Sequence, residues 1–221
     1  MSCKYYGNDY QFKEVIQHQS NTEITLVDGD TFTVAQTLEK PCVLNFASHK
    51  RPGGGYECVL NLKMPIKTQE EDLFRRSNLP ELMDTKEVRK NYYPLKGLQG
   101  IYTTGIVVNK NSSLEPIEPF EATMITVPAV VVPKPEDAAL VSKKIKRIYD
   151  IAAENGEQTL ILGAWGCGVF RNDPKTIARL FMKYLNSDFL GVFAKVVFAI
   201  PDSKHVNFKL FEGEINHENI S

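Results

Sequence analysis

Hydrophobic positions along the chain switch between two periods. Ile24-Thr25-Leu26-Val27 is a short β-prone run that stops at an Asp28-Gly29 turn signal, and 42–47 is apolar and β-prone throughout. Segments 101–108, 124–127, 159–163 and 195–200 have the same character and are predicted as strands. Between them the spacing becomes helical. Ala138, Val141, Ile145, Ile148, Tyr149 and Ala152 recur on one face of an amphipathic helix. Asp173-Pro174 supplies an N-cap and a first-turn proline for a helix that buries Ile177, Phe181 and Leu185. Shorter helices are predicted at 9–19, with Phe12, Val15 and Ile16 on one face, and at 34–40, stopped by Pro41. Two more are predicted, at 69–78 behind Thr68 and from Pro80 to the Tyr92-Tyr93-Pro94 break. Residues 109–120 hold two prolines and an Asn-Ser-Ser cluster, which predicts a loop or hairpin tip. In the tail, Val206, Phe208 and Leu210 alternate, which predicts a peripheral strand.

This alternation of strands and helices implies an α/β fold with helices on both faces of the sheet. The length of 221 residues fits a single domain spanning 1–221. In such sheets ligands bind beyond the C-terminal ends of the strands. Two glycine-rich loops, 53–55 and 163–168, each follow a predicted strand and hold six of the fourteen glycines. One crevice built from both is the expectation.

Charge and cysteine usage narrow the function. The net charge is −1 with no long basic run, which argues against bulk electrostatic binding of nucleic acid or membrane. A small anion in a local pocket is still allowed. Cys3, Cys42, Cys58 and Cys167 form no C-x-x-C pair, so no zinc and no other metal is expected. No secretory signal is visible and no apolar run reaches the ~18–20 residues of a membrane helix. A soluble, intracellular, cytoplasmic protein with reduced thiols is expected, a nuclear location being left open.

The second glycine loop, Gly163-Ala164-Trp165-Gly166-Cys167-Gly168-Val169-Phe170, runs from a strand into a capped helix. Free N–H groups there suit a phosphate, while a tight connection packed through its glycines is the plainer reading. The first loop, Gly53-Gly54-Gly55, precedes the paired acids Glu70 and Glu71. A carboxylate beside such a turn can do acid/base chemistry on what the turn holds. Thr68-x-x-Glu71 is equally the pattern of a capping box. Asn45 is either a polar strand-end residue or a ligand contact. His49 and Lys50 read as solvated, Trp165 as packing, and Arg75 and Arg76 as structural ion pairs. Cys167 has no identifiable His partner and so is not a nucleophile.

Taken together, the Gly-Gly-Gly run followed by Gln69-Glu70-Glu71, the flanking Asn45-Phe46-Ala47-Ser48 and Arg75-Arg76-Ser77, and the Gly-Ala-Trp-Gly-Cys-Gly-Val-Phe loop resemble the poly(ADP-ribose) glycohydrolases of the bacterial type. The resemblance covers roughly 40–200. It implies a macrodomain-like fold with a mixed central sheet, and hydrolysis of ribose–ribose O-glycosidic bonds in poly(ADP-ribose) with no cofactor. The partner implied is ADP-ribose, or poly(ADP-ribose) on modified proteins.

By the same resemblance Glu71 is the acid/base and Glu70 helps hold the ribose. Asn45 and Phe170 would contact the distal ribose. Gly53, Gly54, Gly55 and Gln69 belong to the substrate site, and Gly163, Gly166, Cys167, Gly168 and Val169 to the diphosphate loop. Two rival readings share the pocket: an ADP-ribose-binding module without turnover, and a mono(ADP-ribosyl) hydrolase. The paired acids favour an enzyme. One departure stands out. Thirteen residues, 56–68, join the two halves of the first motif, longer than the family pattern. Leu60, Leu62, Met64 and Ile66 alternate with Asn61, Lys63 and Pro65 there, so an apolar face packed beside the crevice is expected.

Overall fold

The computed structural model describes residues 2–14, 16–17, 21–57 and 68–218. A seven-stranded mixed sheet runs through the molecule in the order β1-β4-β5-β3-β6-β7-β2. Four strands, β2 (Glu23–Val27), β3 (Pro41–Asn45), β6 (Thr159–Leu162) and β7 (Lys195–Ala199), run parallel to one another, and β3 also pairs in parallel with β5 (Pro116–Thr126). β4 (Gly100–Lys110) is antiparallel to β5, and β1 (Cys3–Tyr6) antiparallel to β4.

Strand alternation divides the core in two. On one face Cys42, Leu44, Leu160, Leu162, Val196 and Phe198 meet the three long helices α5 (Ala138–Glu154), α6 (Pro174–Leu185) and α7 (Val206–Glu218). On the other face Val43, Ile161 and Val197 meet four short helices: α1 (Thr31–Ala35), α2 (Gln69–Arg75), α3 (Leu79–Met83) and α4 (Lys86–Tyr92). None of the described helices is long and apolar enough to cross a membrane.

The predicted strands and the two long central helices lie where the patterns place them, and other segments differ. Strand β1 has no counterpart among the predicted elements, and the one helix expected from Pro80 to Tyr92 is two, α3 and α4, because Thr85 starts a new helix by accepting from the Val88 N–H at 3.1 Å. The tail is helix α7, not a strand. Phe208, Phe211 and Ile215 are its buried hydrophobic positions, at helical spacing. Each such side chain contributes about 1.5–3 kcal/mol on full burial, which outweighs the local β pattern. Residues 116–120 belong to β5, because Pro116 and Pro119 sit at exposed positions where a missing donor costs little. The segment 9–14 is turn and coil rather than helix, and Val15 and 18–20 lie outside the described residues. Helix α1 starts three residues early, at Thr31, because Asp30 caps it by accepting from the Thr33 N–H at 2.9 Å. The apolar face predicted for 56–68 also lies outside the described residues, apart from Tyr56, Glu57 and Thr68.

Candidate active site

β3 is buried along its whole length, between β5 and β6. Its last residue, Asn45, is therefore a polar side chain with no exposure, and such a group must find partners. Its Nδ2 donates to Glu70 Oε1 at 3.2 Å and, more weakly, to Thr126 Oγ1 at 3.4 Å. Glu70 also accepts from the Ser48 N–H at 2.6 Å and the Gly53 N–H at 3.2 Å. Burial pushes its carboxyl up to about 8, against these hydrogen bonds and with the adjacent Glu71 adding to the rise.

Glu71 is also buried. Its Oε1 accepts from the Gly55 N–H at 3.0 Å, and its Oε2 has no partner among the described residues. The capping-box geometry is absent. The Thr68 side chain makes no cap hydrogen bond, and Glu71 is held by the glycine loop instead. The loop wraps both acids so closely that a Cβ on Gly54 would lie 2.5 Å from Glu71 Oε1, and Gly54 has φ +53. The first glycine run is thus a cradle for the chain's own carboxylates.

Gln69 sets the height of this floor. Its Nε2 donates to Leu44 O at 2.7 Å and Thr31 Oγ1 at 3.1 Å, and its Oε1 accepts from the Phe46 N–H at 2.8 Å. It ties the start of α2 to the end of β3 across the cleft's base.

The second loop covers the neighbouring strand end. Trp165 is fully buried and donates its Nε1–H to Val127 O at 2.8 Å, a packing residue as its context predicts. Gly166 has φ +75, and a Cβ there would lie 2.7 Å from both Ala129 Cβ and Asn172 Nδ2. Among the described residues, the N–H groups of Gly166, Gly168, Val169 and Phe170 have no hydrogen-bond acceptor. They form a cluster of free donors. The N-terminus of α6 is less open, since Asp173 accepts from the Thr176 N–H at 2.8 Å. The Cys167 thiol is pushed up to about 12 by burial, with Asp173 adding to it, so it stays protonated.

Both loops and both acids line one cleft of about 1290 Å³, enough for a dinucleotide-sized ligand. Of the residues expected at the site, Gly54, Gln69, Glu70, Glu71, Gly166, Gly168, Val169 and Phe170 line it. Asn45, Gly53 and Gly55 stand behind the acids as hydrogen-bond donors, and Gly163 and Cys167 do not reach the cleft wall. His49 and Lys50 are at the rim. Arg76 pairs with Asp30 at 2.5 Å and Asp72 at 2.9 Å, and Arg75 donates to Tyr56 O at 3.2 Å. Sequence reasoning missed Ser48, whose contribution is a backbone N–H and leaves no side-chain signal. It also missed Thr126, which meets Asn45 from β5, an element remote in the chain. Among the described residues no group of His, Cys, Asp and Glu could hold a metal ion.

Comparison with known proteins yields a consistent picture. Residues 2–111 match the family model described as microbial-type PARG, catalytic domain. A crystal structure of poly(ADP-ribose) glycohydrolase from Deinococcus radiodurans with ADP-ribose is 30% identical, at a TM-score of 0.77 over 89% of this chain and 85% of that one. The enzyme from Thermomonospora curvata is 25% identical, at a TM-score of 0.80 over 96% of this chain and 85% of that one. The same enzyme bound to the inhibitor ADP-HPD is 28% identical over 87% and 78% of the two chains, at a TM-score of 0.75. No curated protein matches the chain.

Proposed function

We infer that this chain, which belongs to the microbial-type poly(ADP-ribose) glycohydrolase family, hydrolyses ribose–ribose O-glycosidic bonds of poly(ADP-ribose) and releases ADP-ribose. The observation that carries the catalytic assignment is the pair of buried carboxyls at the cleft floor, one with an oxygen left without a partner among the described residues. A module that only binds needs no such pair.

The transition state of glycosidic cleavage resembles an oxocarbenium ion. Glu71 protonates the departing 2′-oxygen as the glycosidic C–O bond breaks. As a carboxylate it then takes a proton from the water that adds to the same carbon, so the acid is regenerated and one water is consumed. Its Oε1 is fixed by Gly55, which leaves Oε2 for the reacting atoms. Glu70 keeps its proton at neutral pH because burial raises its carboxyl to about 8. The two carboxyls titrate as a pair, so this proton belongs to the pair as a unit and is the one that Glu71 delivers to the leaving oxygen. The free N–H cluster of the second loop supports binding of the diphosphate, with Phe170 beside it to fix the distal ribose. Holding the substrate at both places supplies the orientation that the chemistry needs.

The direct test is incubation of the protein with automodified polymer while free ADP-ribose is measured. Release of ADP-ribose is expected. Binding of ADP-ribose without release would make the protein a reader. Turnover confined to mono(ADP-ribosyl) protein would move the activity to the attachment bond.

A further inference from the structure

The loop after β5, residues 127–132, forms one wall of the cleft through Ala129 and Val131. Three of its carbonyls are held by side chains from two segments, α5 and the connection between β6 and α6. Val127 O accepts from Trp165 Nε1 at 2.8 Å, Pro128 O from Lys144 Nζ at 2.9 Å, and Val130 O from Asn172 Nδ2 at 2.8 Å. All three side chains are buried. Asn172 also reaches across to the glycine loop. Its Nδ2 donates to Gly166 O at 3.1 Å, and its backbone N–H donates to the same oxygen at 3.0 Å. The Gly163, Ala164, Gly168 and Phe170 carbonyls accept from the backbone N–H groups of Trp165, Cys167, Arg171 and Val132.

The consequence is a bias of backbone dipoles at the glycine loop. The Gly166, Gly168 and Phe170 carbonyls there, and the Val127, Pro128 and Val130 carbonyls of the wall, are occupied by donors of the protein, while the N–H groups of Gly166, Gly168, Val169 and Phe170 are left without acceptors among the described residues. An anion is attracted by such a surface and repelled by carbonyl oxygens. Peptide units pivot as rigid planes, so a carbonyl released from its donor can turn toward the cleft. Asn172 donates from one side-chain nitrogen to a carbonyl of each loop. Its Oδ1 finds no partner among the described residues, which is consistent with a side chain placed for its donor end.

We propose that Asn172, with Trp165 and Lys144, is a positioning residue that withholds backbone carbonyls from the cleft and thereby gives the two loops their preference for a diphosphate. The proposal rests on the reading that ADP-ribose is the ligand. None of the three touches the reacting bond. Their effect should therefore track the charge of the ligand.

The test compares the parent with Asn172→Leu, which keeps the side chain's size, adds no charge and removes the donor. Affinities for ADP-ribose, ADP and adenosine are measured, by calorimetry for the first two and ligand-observed magnetic resonance for adenosine. The expected result is a ~10-fold loss for ADP-ribose and for ADP, on the scale of one lost hydrogen bond, with adenosine changed less than ~2-fold. An equal loss for all three ligands overturns the proposal and makes Asn172 a general support of the fold, and unchanged affinity for ADP-ribose overturns it too. Trp165→Phe, which removes only the Nε1–H and part of the ring without changing charge, is read in the same way should Asn172→Leu fail to fold. A parent protein that does not bind ADP-ribose at all refutes the functional reading instead, so the two failures are distinguishable.

Discussion

At the scale of single residues, the cleft floor holds an acid whose ionisation the fold opposes. Burial raises Glu70 from its ordinary value of 4.5 to about 8. Between those values the native state keeps a proton that the unfolded chain has released. Stability therefore falls as pH rises through that window and levels off above it. Glu70→Gln keeps the shape and one of the two acceptor oxygens but cannot ionise. Its thermal midpoint should gain on the parent's as pH climbs from 5 to 8.5, read by scanning calorimetry at matched ionic strength; parallel pH profiles would show that Glu70 ionises freely. The glycines were only half legible at this scale. Their run marks tight backbone, but not what presses against it. A Cβ on Gly54 meets Glu71, and one on Gly166 meets Asn172 and Ala129. Replacing either disturbs the protein before it disturbs a ligand. Gly168 has open space at its Cβ and is the cleaner probe of ligand contact.

At the scale of elements, α2 carries both acids in only seven residues, too few to be stable alone. It is held from outside by Gln69 at its start and Arg76 at its end. Arg76 is almost fully buried and spans three elements: Asp30 at the cap of α1, Asp72 on α2, and Lys110 O, at 3.1 Å, on the β4–β5 hairpin. Arg76→Met removes the cation and leaves two carboxylates side by side. Both are about one-third exposed, so solvent screens part of the cost. A loss of about 3 kcal/mol is expected in denaturant unfolding, at the low end for breaking a buried pair. A loss below about 1 kcal/mol would show that Arg76 is dispensable as a tie. Element types were legible where one period dominated, as in α5 and in β3. They were not legible in the tail, where Val206, Phe208 and Leu210 alternate by coincidence while Phe208, Phe211 and Ile215 are the residues that pack. Strand β1, which pairs with the edge of β4, gives no signal in the polar start of the chain.

At the scale of the whole molecule, the sheet order explains why two motifs far apart in sequence act together. β3 and β6 are neighbours, so the loops after them open onto one crevice. Strand C-termini as the place of the ligand, and two glycine loops as its walls, could be read from the alternation of elements. The wall made by residues 127–132 could not, because it depends on β5 lying on the other side of β3 and on side chains from α5 and the segment before α6. The central claim is that this assembled cleft turns over polymer through Glu71. Its most direct test is Glu71→Gln, assayed for ADP-ribose affinity by calorimetry and for release of ADP-ribose from automodified polymer on the same folded sample. The account predicts affinity within ~3-fold of the parent and a rate reduced by ~10²-fold or more, the scale of a lost general acid. Parent-like turnover by the Gln variant would contradict it.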